Sequence, residues 1–237
     1  MLNVAIIGSS GAIGGAFVEE FAKRNDVGSI FAFSRTAVNF ENEKIISNTI
    51  DFENEDSILQ CANLASEKLP IDLVIVATGM LHNEHIKPEK SIRDLSKNNL
   101  LEVYNANTVV PAIIAKYFLP KLNKNSKSVF ACLSAKVASI SENTIGGWHA
   151  YRASKVALNM ILKNCAIELA RSNKNGIIAS LHPATVDSKL SKPFHAGYQN
   201  KIYTPQEAVL NMISVIEKLT PQDSGDFFSH DGTKIGW

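Results

Sequence analysis

The chain has 237 residues, 45% of them hydrophobic and 20% charged, and a formal net charge of +1, which suits one large α/β domain with a substantial core better than two small ones. Charge this close to neutral, without a basic stripe or polybasic run, argues against nucleic acid or an anionic membrane as a partner. The three cysteines, Cys61, Cys132 and Cys165, are scattered, and the last two lie in apolar stretches, the pattern expected of reduced core residues in a cytoplasmic protein.

The first residues run directly into an apolar stretch that stops at Gly8. No basic leader region precedes it and it is too short to span a bilayer, so the expectation is a buried strand in a soluble, intracellular chain. In chain order, apolar runs predict strands over Val4–Ile7, Ile30–Phe33, Ile45–Ile50, Leu73–Ala77, Val129–Leu133, Ile177–Leu181 and Asp226–Ser229. Amphipathic stretches between them predict helices near Ala12–Lys23, Ser57–Lys68, Leu100–Leu122, Ala150–Arg171 and Pro205–Leu219. Continuous apolar strands alternating with helices imply a parallel sheet covered on both faces. The expected architecture is α/β: a single Rossmann-type, doubly wound domain over residues 1–237 with a seven-stranded parallel sheet. Ligands of such sheets bind beyond the carboxyl ends of the strands.

Candidate cofactor residues line that rim. The turn Gly8-Ser-Ser-Gly-Ala-Ile-Gly14 joins the first strand to the first helix; its small residues admit a pyrophosphate close to the backbone, and the helix offers free N–H groups. Gly8, Ser10, Gly11, Ile13 and Gly14 are the residues assigned there. Arg35 ends the second strand where NAD enzymes carry an acidic residue for the ribose hydroxyl; an arginine suits a 2′-phosphate instead. NADP is therefore favoured, with NAD as the alternative. Asp51 is placed to accept from an adenine amino group, with Phe52 packing beside it. Ala77, Thr78 and Gly79 end the fourth strand with little bulk against a ribose.

Tyr151 and Lys155 stand four apart in Tyr-Arg-Ala-Ser-Lys, one turn apart on one helix face. A cation beside a phenol favours its ionised form and makes it a usable acid and base near neutrality. Ser134, at a strand end upstream, offers a hydroxyl to the negative charge that reduction places on a carbonyl oxygen. A second Tyr–Lys pair, Tyr117 and Lys121, is interrupted by Pro120 and reads as structural.

Together these segments, with Asn107 and Pro183-Ala-Thr-Val-Asp-Ser188, resemble the short-chain dehydrogenase/reductase family in its compact form. Val74–His82, Pro88-Glu-Lys90, Gly146–Lys155 and Asp231–Trp237 look closest to its C-factor-like branch. The resemblance implies Tyr151 as acid/base, with Lys155 lowering its pKa and holding the nicotinamide ribose. It further implies Ser134 on the substrate carbonyl, Asn107 holding a water that links Lys155 to solvent, and Pro183, Val186 and Ser188 gripping the carboxamide or phosphates. The chain departs from the family pattern in Val76-Ala-Thr-Gly79, in Ala12, in Ala184, and in the longer Ser134–Tyr151 spacing, which makes Ser139 the rival to Ser134.

The expected activity is hydride transfer between NAD(P) and a small carbonyl or alcohol. A dinucleotide-binding, C-factor-like signalling protein with little turnover is the alternative, and an epimerase is disfavoured by length. The loop Ser188–Tyr203 is expected to close over the nicotinamide, Trp148 and Phe194 to give an apolar substrate face, and His149 and His182 to flank the pocket. His82 and His85 have too few companions for a metal site. The long helices imply a homodimer or homotetramer, as in relatives.

Overall fold

A computed structural model describes residues 1–237. Seven strands form one wholly parallel sheet: β1 (Leu2–Ile7), β2 (Val27–Ser34), β3 (Ile45–Thr49), β4 (Leu73–Val76), β5 (Ser128–Leu133), β6 (Gly176–His182) and β7 (Asp226–Ser229). Their order is β3-β2-β1-β4-β5-β6-β7. The chain winds outward from β1 to β3, returns to β4, and winds outward the other way. The order therefore reverses between β1 and β4, which opens a crevice at their carboxyl ends.

Alternation along the strands fills both faces. Val4 and Ile6 of β1 point to α1 (Ala12–Ala22) and α6 (Pro205–Lys218). Ala5 and Ile7 point to the other face, beneath α2 (Glu55–Ser66), α4 (Val110–Phe118) and α5 (His149–Ser172). The two clusters hold 26 and 24 buried residues; with both faces dry, the inner strands read as unbroken apolar runs rather than alternating ones. Local signals set the helix starts: the Asn54 side chain accepts from Asp56 N, and Thr204 and Glu207 close a reciprocal capping box before Pro205.

One element differs from expectation. The single helix anticipated over Leu100–Leu122 is α3 (Lys97–Tyr104), a π-helical segment (Asn105–Val109), α4, and a final 3₁₀ turn (Leu119–Lys121). Pro111 sits in the first turn of α4 and has no N–H to offer the carbonyl four residues back, that of Asn107. The wider turn carries Asn107 inward, where it is fully buried. No helix is long and apolar enough to cross a membrane.

Candidate active site

The glycine turn leaves β1 with Gly8 at φ +93°, in the left-handed region. A Cβ on Gly8 would stand 3.0 Å from the carbonyl atoms of Ala77, and one on Gly14 would come within 2.2 Å of Gly8 O. The absence of side chains at these positions therefore lets β1, β4 and α1 converge. Gly8 N and Ser9 N donate to Phe33 O at 2.8 and 3.1 Å, and Gly11 N donates to Gly8 O at 3.0 Å. Gly11 caps α1 with no side-chain oxygen, so the first-turn N–H groups remain available to an anion. Ser10 is exposed beside them, and Ile13 packs inward against the α1–α6 core.

Arg35 follows β2, exposed and in no ion pair. Asp51 is exposed after β3; its Oδ1 accepts from Glu53 N at 3.0 Å, while Phe52 packs on the α2–α4–α5 core. Tyr117, of the second Tyr–Lys pair, donates to Glu55 at 2.7 Å and so ties α4 to the start of α2.

The centre of the site is built around Gly79. A Cβ there would be 3.4 Å from both Asn107 Oδ1 and Lys155 Nζ, so these three residues meet. The Asn107 side chain is fully committed: its Oδ1 accepts from Met80 N at 2.7 Å, and its Nδ2 donates to Met80 O at 2.8 Å and to Ser154 Oγ at 3.0 Å. Ser154 Oγ donates in turn to Tyr151 O at 2.8 Å. The loop after β4 is thus tied through Asn107 and Ser154 to the first turn of α5. Pro111 denies the Asn107 backbone carbonyl its ordinary i+4 donor, so of the two Asn107 oxygens it is the carbonyl that is better placed to take a water.

Lys155 is 2% exposed and donates to Leu133 O at 2.9 Å. Burial drives its pKa down to about 8, since a dehydrated ammonium is disfavoured. Burial likewise pushes the Tyr151 phenol up to about 12, and it is the sole cause of that shift. The ammonium itself is engaged by Leu133 O, and no cation contributes to the shift of Tyr151. The Trp148 ring meets Tyr151 edge-on at 6.3 Å.

Ser134 follows β5, its N–H donating to Leu181 O at 2.7 Å. Phe130 and Cys132 face α5, so alternation turns Ser134 to the same side. Its Oγ is buried without a partner. The rival Ser139 is already engaged, with Ser141 Oγ at 3.2 Å and Glu142 N at 3.3 Å. Ser9 Oγ, Thr78 Oγ1 and His182 Nδ1 are also buried and unpaired, all at carboxyl ends of strands. Buried polar atoms normally find partners; such atoms around a glycine-lined crevice fit a polar dinucleotide.

Beyond β6, Pro183 leads into Ala184 at φ +66°. Val186 pairs with Tyr203, and its carbonyl accepts from Ser191 Oγ; Ser188 Oγ contacts Ser191 Oγ at 3.2 Å. The 188–203 segment packs against the loop after β4 and the loop before α5. Phe194 lies 5.0 Å from the Trp148 ring and 5.7 Å from His82, whose Nε2 bonds Leu190 O at 3.0 Å. His85 is exposed.

Three residues here escaped the sequence reading. Ser154 bridges Asn107 and Tyr151; Arg152 donates to Gly147 O at 3.0 Å and Val137 O at 3.2 Å, bracing the loop before α5; Glu89 contacts the start of α5. Ser154 and Arg152 sit inside the Tyr–Lys motif, where spacing marked only its two ends. Glu89 stood within Pro88-Glu-Lys90, marked there only as part of a resemblance and given no role.

A family model described as short chain dehydrogenase matches residues 2–199. The chain belongs to this family. Its activity class is accordingly NAD(P)-dependent oxidoreduction. The 1-hydroxy-2-glutathionyl-2-methyl-3-butene dehydrogenase of Rhodococcus sp. (strain AD45) is 29% identical over 189 residues, covering 79% of this chain and 78% of that protein. The C-signal of Myxococcus xanthus is 27% identical over 147 residues, 62% of this chain and 84% of that one, in keeping with the C-factor-like stretches. Among solved structures, the NADPH-bound carbonyl reductase from chicken fatty liver superposes with a TM-score of 0.84 at 21% identity, covering 100% of this chain and 94% of that one. At that identity the likeness concerns the fold.

Proposed function

We propose that this short-chain dehydrogenase is an NADP-preferring oxidoreductase acting on a small carbonyl or alcohol, with Tyr151 as acid/base. One observation carries the reading: Gly79, Asn107 and Lys155 meet at the strand-order reversal, with Tyr151 one turn from Lys155 and an unpaired Ser134 hydroxyl on the same face. Gly8, Gly11 and Gly14, with Ser10 and Ile13 beside them, would take the pyrophosphate; Asp51 and Phe52 the adenine; Ala77, Thr78 and Gly79 the ribose; Pro183, Val186 and Ser188 the carboxamide end. Arg35, unpaired and exposed, suits a 2′-phosphate.

The bound nicotinamide supplies the hydride. Tyr151 donates its phenolic proton to the developing alkoxide, a donation for which a protonated phenol near neutrality is ready. Ser134 donates a hydrogen bond to the same oxygen. Lys155, whose pKa of about 8 leaves it mostly protonated at neutral pH, would hold the ribose and favour the phenolate that remains, its proton restored through a water on the Asn107 carbonyl. Trp148 and Phe194 would present an apolar wall to the substrate.

The test is NADPH oxidation against a panel of aldehydes and ketones, comparing wild type with Tyr151→Phe. Turnover that survives the substitution removes the mechanism. Tight cofactor binding with no turnover on any carbonyl would favour the second reading, a dinucleotide-responsive signalling protein, which the likeness to C-signal keeps in play. The same reading makes the chain one dinucleotide-binding domain, cytoplasmic, and a homodimer or homotetramer. Leu101, Val109, Met160 and Ile167 stay exposed on the α3–α5 side of the molecule, where a second copy would cover them; sedimentation of a Met160→Glu variant as a monomer is the expected check.

A further inference from the structure

The start of α5 lacks the residue a helix of 24 residues would ordinarily have there. Its N-cap is Trp148, which has no side-chain acceptor and sits in the left-handed region at φ +49°. Gly146 and Gly147 before it are left-handed too, at φ +69° and +66°. The two glycines take that region freely, but Trp148 does not, so the entry calls for support from outside the helix. What holds it comes from sixty residues upstream. Glu89 is 3% exposed; its backbone carbonyl accepts from Trp148 N at 2.6 Å, and its Oε2 accepts from Ala150 N at 3.2 Å. A Cβ on Gly147 would lie 3.3 Å from that same carbonyl, so the glycine lets the two segments touch.

We propose that Glu89 is a positioning residue for the proton-transfer step: it supplies the cap that α5 lacks and so fixes where Tyr151, the next residue after Ala150, stands above the nicotinamide site. This deepens the reductase reading and rests on it. The loop after β4 is then fastened twice, at Met80 by Asn107 and at Glu89 by α5. Between these points it joins the ribose side of the site to the helix that carries the phenol. A carboxylate also complements the positive end of the helix dipole. Because Glu89 holds Trp148 as well, it sets the ring against which Phe194 docks. The second carboxylate oxygen, Oε1, is buried without a partner, which a residue kept only for packing would not need.

The experiment compares Glu89→Ala and Glu89→Gln with wild type by two readouts: steady-state kinetics with NADPH and an aldehyde or ketone that wild type reduces, and amide hydrogen exchange over residues 148–152. Glutamine keeps an acceptor for Ala150 N; alanine does not. The expected result for Glu89→Ala is kcat lower by about 30-fold or more, NADPH Kd within about 3-fold, and at least 10-fold faster exchange at Ala150 and Tyr151 (magnitudes scaled to a displaced catalytic group and a lost cap). Glu89→Gln should restore most of both. Unchanged exchange and kcat in Glu89→Ala overturns the proposal, as does a Glu89→Gln that loses kcat as fully with its first turn still protected. Should wild type reduce nothing, the reductase reading falls, and the exchange arm still decides whether Glu89 orders the turn. Should the alanine variant fail to fold, Glu89→Asp, one methylene short of Ala150 N, takes its place under the same criteria.

Discussion

The two halves of this site are built by opposite means. The half around the glycine turn works by leaving side chains out: Gly8 and Gly14 bring β1, β4 and α1 together, and Gly79 does the same beside Asn107 and Lys155. Ser10, Arg35 and Asp51 around it are exposed. The half around α5 works by burying titratable groups, with Lys155 held down to about 8, Tyr151 up to about 12 and His182 down to about 4, each chiefly by dehydration. Backbone geometry serves a ligand that is only bound. Dehydrated groups held by long-range hydrogen bonds serve one on which protons move.

Substitutions in the two halves should therefore fail differently. The largest effect expected is on turnover: Tyr151→Phe should lower kcat by roughly 10²–10⁴-fold, the range general acid–base groups supply, with NADPH Kd unchanged. Gly14→Ala should do the reverse. Its Cβ would meet Gly8 O at 2.2 Å, a clash that only a shift of α1 relieves, costing about 1–3 kcal/mol and weakening NADPH binding about 100-fold while lowering the melting temperature. Fluorescence titration beside steady-state kinetics reads both. Equal losses of binding and turnover in both variants would erase the distinction.

Cofactor choice sharpens the first half further. Arg35→Ala should weaken NADPH by roughly 10–100-fold, the worth of a charge-assisted contact, and leave NADH within about 2-fold. Equal affinities for both before and after the change would put Arg35 outside the site.

How far each half could be read in advance follows from how it is built. The glycine turn is seven contiguous residues between a strand and a helix, so local pattern sufficed. Tyr151 and Lys155 were visible because one helix turn separates them. What surrounds them was not. Ser154 looked like filler inside the motif, yet it links Asn107 to Tyr151. Glu89 contacts residues some sixty positions later, a separation that a short stretch such as Pro88-Glu-Lys90 does not disclose. The break at Asn105–Val109 had its signal in Pro111, which an amphipathic period drawn over all of Leu100–Leu122 smoothed away. The ammonium's effect on the phenol was argued from spacing alone, and spacing carries no information on how far the assembled fold dehydrates either group.

The buried groups of the second half also give it a pH signature. His182 has an unfolded pKa near ~6.5 and a folded one of about 4, lowered first by burial and then by His230 and Lys136. Between those values the unfolded chain binds the extra proton, so stability is fully present above about pH 6.5 and is lost as pH falls toward 4. The size is on the order of 2 kcal/mol across that window. Chemical denaturation of wild type and His182→Asn between pH 4.5 and 7 should show the wild-type slope flattened in the variant. Parallel slopes would mean the imidazole is hydrated after all.

The smallest effect concerns strain. The first half meets its need for positive φ with a glycine, Gly8 at +93°, whereas the second, besides Gly146 and Gly147, also uses Ala184 at +66° and Trp148 at +49°. An L-residue held there costs about 1–2 kcal/mol, part of which glycine would forfeit again through its freer unfolded chain, about 0.5–1 kcal/mol. Ala184→Gly should thus stabilise by up to about 1 kcal/mol, a rise of roughly 2–4 °C in melting temperature for a domain of this size. Trp148→Gly relieves similar strain but removes the ring that meets Tyr151 and Phe194, so its kcat/KM should fall while that of Ala184→Gly holds. A loss of kcat/KM in Ala184→Gly as well would mean the strained backbone after Pro183, and not the Trp148 ring alone, keeps the reacting half in place.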